Sequence, residues 1–325
     1  MVGSSPTGRT GRGRRPRGVL ALVVVTALGG CVDVGRDEEP VLVTAQEMER
    51  LGYERPEMWD NSRLQHRLLD NREQIYAAVR PWIEDELGVR VEMTSVIAPY
   101  PWDEASVGWR TVDEPVFTGH VLLAVGEDGT VPRGRASTAR HRADPERALF
   151  PAVYAMAYRP ELDRMRAYLA QTYPELTSTL PVHDRVLGDT PGTVGVSHDG
   201  TAPGAPDGTP VLQTVWQAFR EDPVRSDQEW RALLDRVNAG MPMGIGAGFM
   251  MREPGRDVPQ DLVQRVAEDL RDNPLFDGYT AWGASVMSNL HVRDDLHPHH
   301  FITVQWVHAT RRWVVTEERD GVTVQ

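Results

Sequence analysis

The amino-acid sequence predicts an α+β fold, with mixed or antiparallel sheets, amphipathic helices and a C-terminal β-meander. Three observations support this class. Several segments repeat apolar residues at helical spacing, others alternate apolar and polar residues, and the two kinds follow no regular βαβ order. The chain has 325 residues, 40% hydrophobic and 25% charged. This composition excludes collagens, low-complexity chains and polytopic membrane proteins.

Helices are predicted where a start signal precedes an apolar stripe. Thr44 and Ser226 each open a capping box, and a long stripe over 60–87 ends at Gly88, with Asp70-Asn71 and Pro81 as points of interruption. Prolines at the first turn predict three more helices, which begin near residues 145, 160 and 259.

Strands are predicted in the runs that lie between these helices and at the C-terminus. Residues 89–94 alternate apolar and polar side chains, and 116–125 form an apolar run closed by a turn signal. Residues 279–292 form one extended run, and the runs 301–308, 313–317 and 322–324 form the meander, in which Asp320-Gly321 is a hairpin signal.

The N-terminal 31 residues are typical of a secretory signal. Five arginines and no acid precede an apolar run from Val19 to Leu28, which is too short for the roughly 20 residues that span a bilayer. Leu28-Gly29-Gly30-Cys31 resembles the lipobox of bacterial lipoproteins. The resemblance implies that Cys31, the single cysteine of the chain, receives a diacylglyceryl group and becomes the mature N-terminus. An ordinary secretory signal is the alternative, and the export route stays open.

These features divide the chain into three parts. Residues 1–30 are the expected lipoprotein signal peptide, 31–43 the lipidated cysteine with a flexible acidic tether, and 44–325 the globular α+β region. Proline and glycine motifs predict a long loop over 174–210, which would divide that region into two subdomains if it has more than one.

Charge and cysteine content limit the partners. Without its leader the chain carries 47 acids against 30 arginines, a net charge near −17, so it repels nucleic acid. We therefore expect attachment to the cell membrane through lipid, on its extracytoplasmic face. All 35 basic residues are arginines, which excludes lysine-dependent chemistry and is typical of a GC-rich, actinobacterial-type genome.

A cluster of ligand-type side chains lies at 294–300. Asp295, His297 and His299 are the candidate ligands of a Zn²⁺ or Mn²⁺ ion, since alternate residues of an extended chain project to the same side. The alternative is a solvated connection between strands with no cofactor. No HExxH or GxSxG motif accompanies the cluster, so we name no catalytic residue.

Two further features concern ligand contact. Trp102 and Trp109 lie in segments with weak helix and strand signals, so they are candidate stacking surfaces for a ligand, with packing beneath loops as the alternative. The segment Gly244-Ile245-Gly246-Ala247-Gly248 lacks the spacing of a dinucleotide loop. We expect it to be backbone packed tightly against another element; a lid over a pocket is the alternative.

The sequence thus favours a non-catalytic, lipid-anchored module of the cell envelope that binds a small molecule or an envelope protein. Two alternatives remain. One is a metal-assisted hydrolase that uses the 294–300 cluster, and the other is an envelope assembly or structural factor.

Overall fold

The computed structural model describes most of the chain after residue 40. The described residues are 41–47, 62–98, 104–132, 139–141, 145–177, 194–198, 209–239, 241–255, 257–292, 298–307, 311–319 and 322–324. The predicted leader, the Cys31 lipidation site and nearly all of the tether lie outside them.

The described strands and helices confirm the α+β class. In chain order the strands are β1 Leu42–Thr44, β2 Val91–Ile97, β3 Glu104–Thr111, β4 Thr118–Ala124, β5 Arg140–His141, β6 Leu176–Thr177, β7 Val194–His198, β8 Met243–Met251, β9 Ala281–Met287, β10 Leu290–Val292, β11 His300–Val307, β12 Arg312–Arg319 and β13 Val322–Val324. The helices are α1 Ser62–Asp70, α2 Arg72–Leu87, α3 Pro145–Ala157, α4 Arg159–Thr172, α5 Thr209–Glu221, α6 Asp227–Val237 and α7 Gln260–Asp272.

The predicted helix ends follow from their capping residues. Glu47 donates its backbone N–H to Thr44 Oγ1 at 3.1 Å, and Ser226 forms a complete capping box with Glu229. Helix α2 ends at Gly88, whose φ of 72° is the left-handed conformation that glycine adopts without a Cβ penalty. Asn71 separates α1 from α2, whereas Pro81 lies inside α2 without ending it.

Strands β2 to β5 form an antiparallel four-stranded sheet in sequential order. Strand β3 is its second strand, and most of its side chains are buried on both faces. Ala105, Val107 and Trp109 alternate along it with Glu104, Ser106, Gly108 and Arg110, and because Ser106 and Gly108 are buried as well, both faces are covered at the centre of the strand. Trp109, which lies in a segment with weak helix and strand signals, is therefore part of a regular strand.

A larger, seven-stranded sheet has the order β13-β12-β11-β9-β8-β6, with β7 beside β6 on the same edge of β8. All its pairings are antiparallel except β8 with β9. Helix α7 connects these two parallel strands, so the sheet contains one βαβ unit that the sequence did not indicate. The predicted meander is confirmed in β11, β12 and β13.

The predicted extended run 279–292 is two strands with different partners. Strand β9 lies in the large sheet, whereas β10 pairs with β1 in a separate two-stranded ribbon. The N-terminal end of the described chain is thereby held beside the end of β9, where Ala45 N–H donates to the Asn289 side chain at 3.2 Å.

One face of the large sheet forms part of the core. Side chains of β8, β9 and β11 on this face are buried with the apolar stripe of α7, and one hydrophobic cluster continues from them to the four-stranded sheet. The cluster includes Trp109, Phe117, Val153, Phe219 and Trp230. Residues 178–193 and 199–208 lie outside the description, so the division into subdomains stays a prediction.

Candidate functional site

The opposite face of the large sheet is the candidate site. Its central side-chain positions belong to residues that alternate along the strands with buried core residues, and they remain half-exposed or exposed. The strand register aligns them in two rows across β7, β8, β9 and β11. We call this surface the open face and define it by Gly195, Gly246, Gly248, Gly283, Ser285, Thr303 and Gln305.

Glycines occupy three neighbouring strands in one row of the open face. Gly195 pairs with Gly246, and Gly246 pairs with Gly283. A Cβ atom added to Gly195 or Gly248 would meet no described atom within 4 Å, and one added to Gly246 would meet only the Gly283 carbonyl oxygen at 3.8 Å. Among the described residues, nothing therefore packs on these glycines. The expectation that 244–248 is tightly packed against another element is not met by any described residue at Gly246 and Gly248.

The second row carries hydroxyl groups. Ser285 pairs with Thr303, and their side-chain oxygens are 3.0 Å apart. Gln305 lies beside Gly283, and none of the seven open-face residues is charged. Met287 and Phe301 pair at the end of this face and add apolar surface. These seven positions are uncharged on a protein that is rich in charge, whereas Arg312 and Glu318 lie on the same face one strand further out, on β12.

A ligand or another chain can bind to such a surface, but none of its seven residues can act as an acid or a base. Glycine in a strand allows a ligand or another backbone to approach the sheet closely. The hydroxyl and amide groups can donate and accept hydrogen bonds, which gives orientation to what binds. The open face is thus suited to an uncharged, extended or flat partner.

A buried polar cluster lies at the carboxyl ends of β8 and β9. His300 Nδ1 accepts the Val258 N–H at 2.8 Å, so Nε2 carries the proton and donates to Glu317 at 3.1 Å. Burial lowers the pKa of His300, which favours the neutral ring. Ser288 accepts the His300 backbone N–H, and Arg319 pairs with both Glu317 and Asp257. These contacts occupy both ring nitrogens, so His300 is a structural residue.

The predicted metal site is described only in part. His291 and Pro298 form a bridge that closes the connection between β10 and β11, and His299 donates its backbone N–H to Leu290 at 2.7 Å. Asp295 and His297 lie outside the described residues. In the part of the chain that the structure describes, no three His, Cys, Asp or Glu side chains form a metal-binding group. The Zn²⁺ or Mn²⁺ site stays a prediction.

The two candidate tryptophans have different outcomes. Trp102 lies outside the described residues. Trp109 lies in β3 and is fully buried, with its ring at the edge of Phe117 and near His141. The fold gives Trp109 no exposed ring surface, and Gly119 on the next strand leaves room for its indole.

A tyrosine cluster joins the helices to the start of β9. No motif in the sequence indicates this cluster. Tyr154 stacks on Tyr158 with ring centroids 4.4 Å apart, and its hydroxyl bonds that of Tyr279 at 3.2 Å. Tyr158 donates to Asp235, and Arg231 lies over the Tyr158 ring. Burial raises the pKa of Tyr158 and Tyr279. Because these groups satisfy one another, the cluster stabilises the helix packing.

Comparison with known proteins identifies a solved structure of similar fold. No protein-family model matches the sequence, and no curated protein matches it. The structure is similar to the crystal structure of a DUF1672 family protein from Staphylococcus aureus subsp. aureus Mu50. The TM-score is 0.55, with 10% sequence identity, over 86% of this chain and 98% of that chain.

A second crystal structure matches less well. It is a DUF5037 family protein from Ruminococcus gnavus ATCC 29149, with a TM-score of 0.25 and 10% identity over 77% of this chain and 94% of that chain. A score this low supports no argument. The comparison therefore establishes that this chain shares its fold with a DUF1672 family protein whose role is itself unknown.

Proposed function

We propose that the chain is a lipid-anchored protein of the extracytoplasmic membrane surface, and that it binds a ligand or an envelope protein on its open face without catalysing a reaction. The single observation that carries the binding role is the pair of neighbouring glycines Gly195 and Gly246, on which no described side chain packs. The lipid anchor is supported separately, by the lipobox-like residues that end at Cys31.

The glycine row argues for binding because it lowers stability without serving the packing of the described core. Glycine inside a strand is destabilising by roughly 0.5–1 kcal/mol relative to alanine. A neighbouring side chain would explain such a glycine if a Cβ atom collided with it, as at Gly119, where Trp109 would lie 2.4 Å away. Gly246 has no such neighbour among the described residues. We infer that Gly246 allows close approach by a binding partner.

The lack of charge on the open face also supports binding. A surface that only faces water can carry charged side chains freely. Since a quarter of this chain is charged, charged residues would be expected at some of these positions. An uncharged surface loses little solvation when a partner covers it.

None of the helices that the structure describes is long and apolar enough to cross a membrane.

Site-specific photo-crosslinking in the bacterium that produces the protein tests this function. A photoreactive phenylalanine replaces Thr303 in the open face, and Thr214 on the exposed side of α5 is the control position. We expect a distinct adduct from position 303 and none from 214. Adding Gly246→Trp to the position-303 chain should abolish the adduct, because the indole fills the open face while the buried side of β8 is unchanged.

Two results would contradict the proposal. One is the absence of any adduct at position 303, and the other is an adduct that Gly246→Trp leaves unchanged. Circular dichroism of the Gly246→Trp chain checks that the fold is retained.

A further inference from the structure

Residues 312–316 of strand β12 form an edge that no described strand covers. Strand β13 pairs only with Glu317, Glu318 and Arg319, and no other described strand continues along this side of β12. Arg312, Val314, Val315 and Thr316 are exposed accordingly. The backbone groups of this segment are therefore free to pair with another strand.

Apolar side chains concentrate at this edge. Of the six large hydrophobic residues that are exposed in the described part of the chain, three are Val314, Val315 and Val322, with exposures of 42%, 39% and 67%. On the same strand Trp313 pairs with Trp306, and the Arg271 guanidinium lies 5.3 Å from the Trp313 ring. Tryptophan and arginine are the residues that most often dominate protein interfaces.

The edge lacks the features that usually prevent pairing. Protected edge strands carry a proline, a bulge or an inward-pointing charge. The β11–β12 register is continuous from His300 with Arg319 to Val307 with Arg312, and the segment 312–316 contains no proline. An exposed, regular and apolar edge of this kind is expected to be covered in the functional protein.

The order of charged residues along β12 indicates which strand pairs with its edge. Arg311 and Arg312 precede the apolar residues of β12, and Glu317 and Glu318 follow them. In an antiparallel pair of identical strands, the basic start of one lies beside the acidic end of the other. Arg312 forms no ion pair with a described residue, whereas Glu317 already binds Arg319. Arg312 and Glu318 are thus the groups that can pair between chains.

We propose that a second copy of this chain pairs with the open edge of β12 across a two-fold axis. Val314 then faces Val314 of the second copy, and Trp313 faces Val315 of the second copy. Arg312 lies diagonal to Glu318 of the second copy, a spacing that long side chains can bridge. Isologous contacts of this kind close into a dimer.

The geometry of the hairpin leaves space for this arrangement. In this register Arg312 of the second copy lies opposite Thr316, and the pairing of β13 with β12 begins at the next residue, Glu317. A two-fold axis perpendicular to the sheet keeps the open faces of both copies on the same side. The proposal depends on neither the lipid anchor nor binding at the open face.

Disulfide trapping tests the register. In the purified full chain carrying Cys31→Ser, the single native thiol is removed, and Val314→Cys introduces one at the two-fold axis. The matched control is Val224→Cys, which is 78% exposed and lies between α5 and α6. Under mild oxidation we expect the Val314→Cys chain to form a disulfide dimer about tenfold faster than the control, because pairing raises the effective thiol concentration.

Sedimentation of the Cys31→Ser chain gives a second, independent readout. We expect a dimer, and a monomer for the Val314→Lys variant, whose fold circular dichroism confirms. Arg312→Glu should weaken the dimer, and Arg312→Glu with Glu318→Arg should restore it. A monomeric parent chain, equal trapping at positions 314 and 224, or no restoration by the charge swap would overturn the proposal.

Discussion

At Ser226, two reciprocal contacts define the start of helix α6. The Ser226 side chain accepts the Glu229 backbone N–H at 3.4 Å, and the Glu229 carboxylate accepts the Ser226 backbone N–H at 2.9 Å. The Ser226 hydroxyl also donates to that carboxylate at 2.7 Å, and these hydrogen bonds lower the pKa of Glu229. Trp230 follows at once and is fully buried, so the cap fixes where a core side chain enters.

Replacing Ser226 with alanine tests the cap. We expect Ser226→Ala to lower the free energy of unfolding by about 1 kcal/mol at pH 7. Because the folded pKa of Glu229 is lowered, its contribution is complete above the ordinary value of about 4.3 and is lost as the pH falls through the folded pKa. The cost of Ser226→Ala should therefore shrink in acid.

Urea unfolding at pH 7 and at successively lower pH measures this effect. Ser226→Asn is the control, because asparagine also caps a helix and should cost little. An Ser226→Ala cost that does not change with pH would show that Glu229 takes no part in the cap.

At the scale of single elements, strands β3 and β8 show how neighbours decide secondary structure. Both carry small residues that favour strands poorly, Gly108 in β3 and three glycines in β8. Each lies between two other strands, so ladder hydrogen bonds on both sides outweigh the low propensity. Within such strands, two glycines serve opposite purposes. Gly119 of β4 makes room for Trp109, whereas Gly246 of β8 leaves a surface open.

Alanine at these two glycines should therefore shift stability in opposite directions. We expect Gly246→Ala to raise the free energy of unfolding by about 0.5–1 kcal/mol, because the added methyl meets only ordinary contact. Gly119→Ala should lower it by about 1–3 kcal/mol, because the methyl would lie 2.4 Å from the buried Trp109 ring.

Thermal unfolding of both variants gives the comparison. A gain of 1 kcal/mol corresponds to an increase in Tm of about 2–4 °C for a chain of this order of size. Destabilisation by Gly246→Ala would mean that another part of the chain packs on the open face, which would remove the basis of the proposed binding role.

At the scale of the whole molecule, the described fold begins within the predicted tether, because Leu42 and Val43 already belong to strand β1. Strand β1 starts at Leu42 and pairs with β10, so the chain enters the fold beside the buried cluster of Ser288, Asn289 and His300. A lipid on Cys31 would hold the molecule by this end through about ten residues of acidic chain. Without the predicted leader the chain would have a net charge near −17, so an anionic membrane surface would repel rather than retain it.

Cys31→Ser should consequently move the protein out of the membrane fraction or leave its leader uncleaved. The thermal midpoint of the Cys31→Ser chain is the control for the fold, and it should equal that of the wild type because residue 31 lies outside the described fold. Partition into a detergent phase and mass spectrometry of the N-terminus provide the measurement. Partition identical to that of the wild type would show that the lipobox interpretation is wrong.

What the sequence determined by itself was local. Caps at Thr44 and Ser226, the Gly88 stop and the apolar stripe of α7 each act within a few residues, so their outcome can be read without the fold. The C-terminal meander could also be predicted from the sequence, because apolar and polar residues alternate along its strands and its connections are short.

Only the tertiary structure decided the rest. The parallel pairing of β8 with β9, the burial of Trp109 and the separation of β10 from β9 depend on residues distant in sequence. The same holds for the open face, which exists because strand register aligns Gly195, Gly246 and Gly283 across the sheet. Neither glycine spacing nor composition encodes that alignment, since pairing between strands is set by the packing of their opposite, buried face.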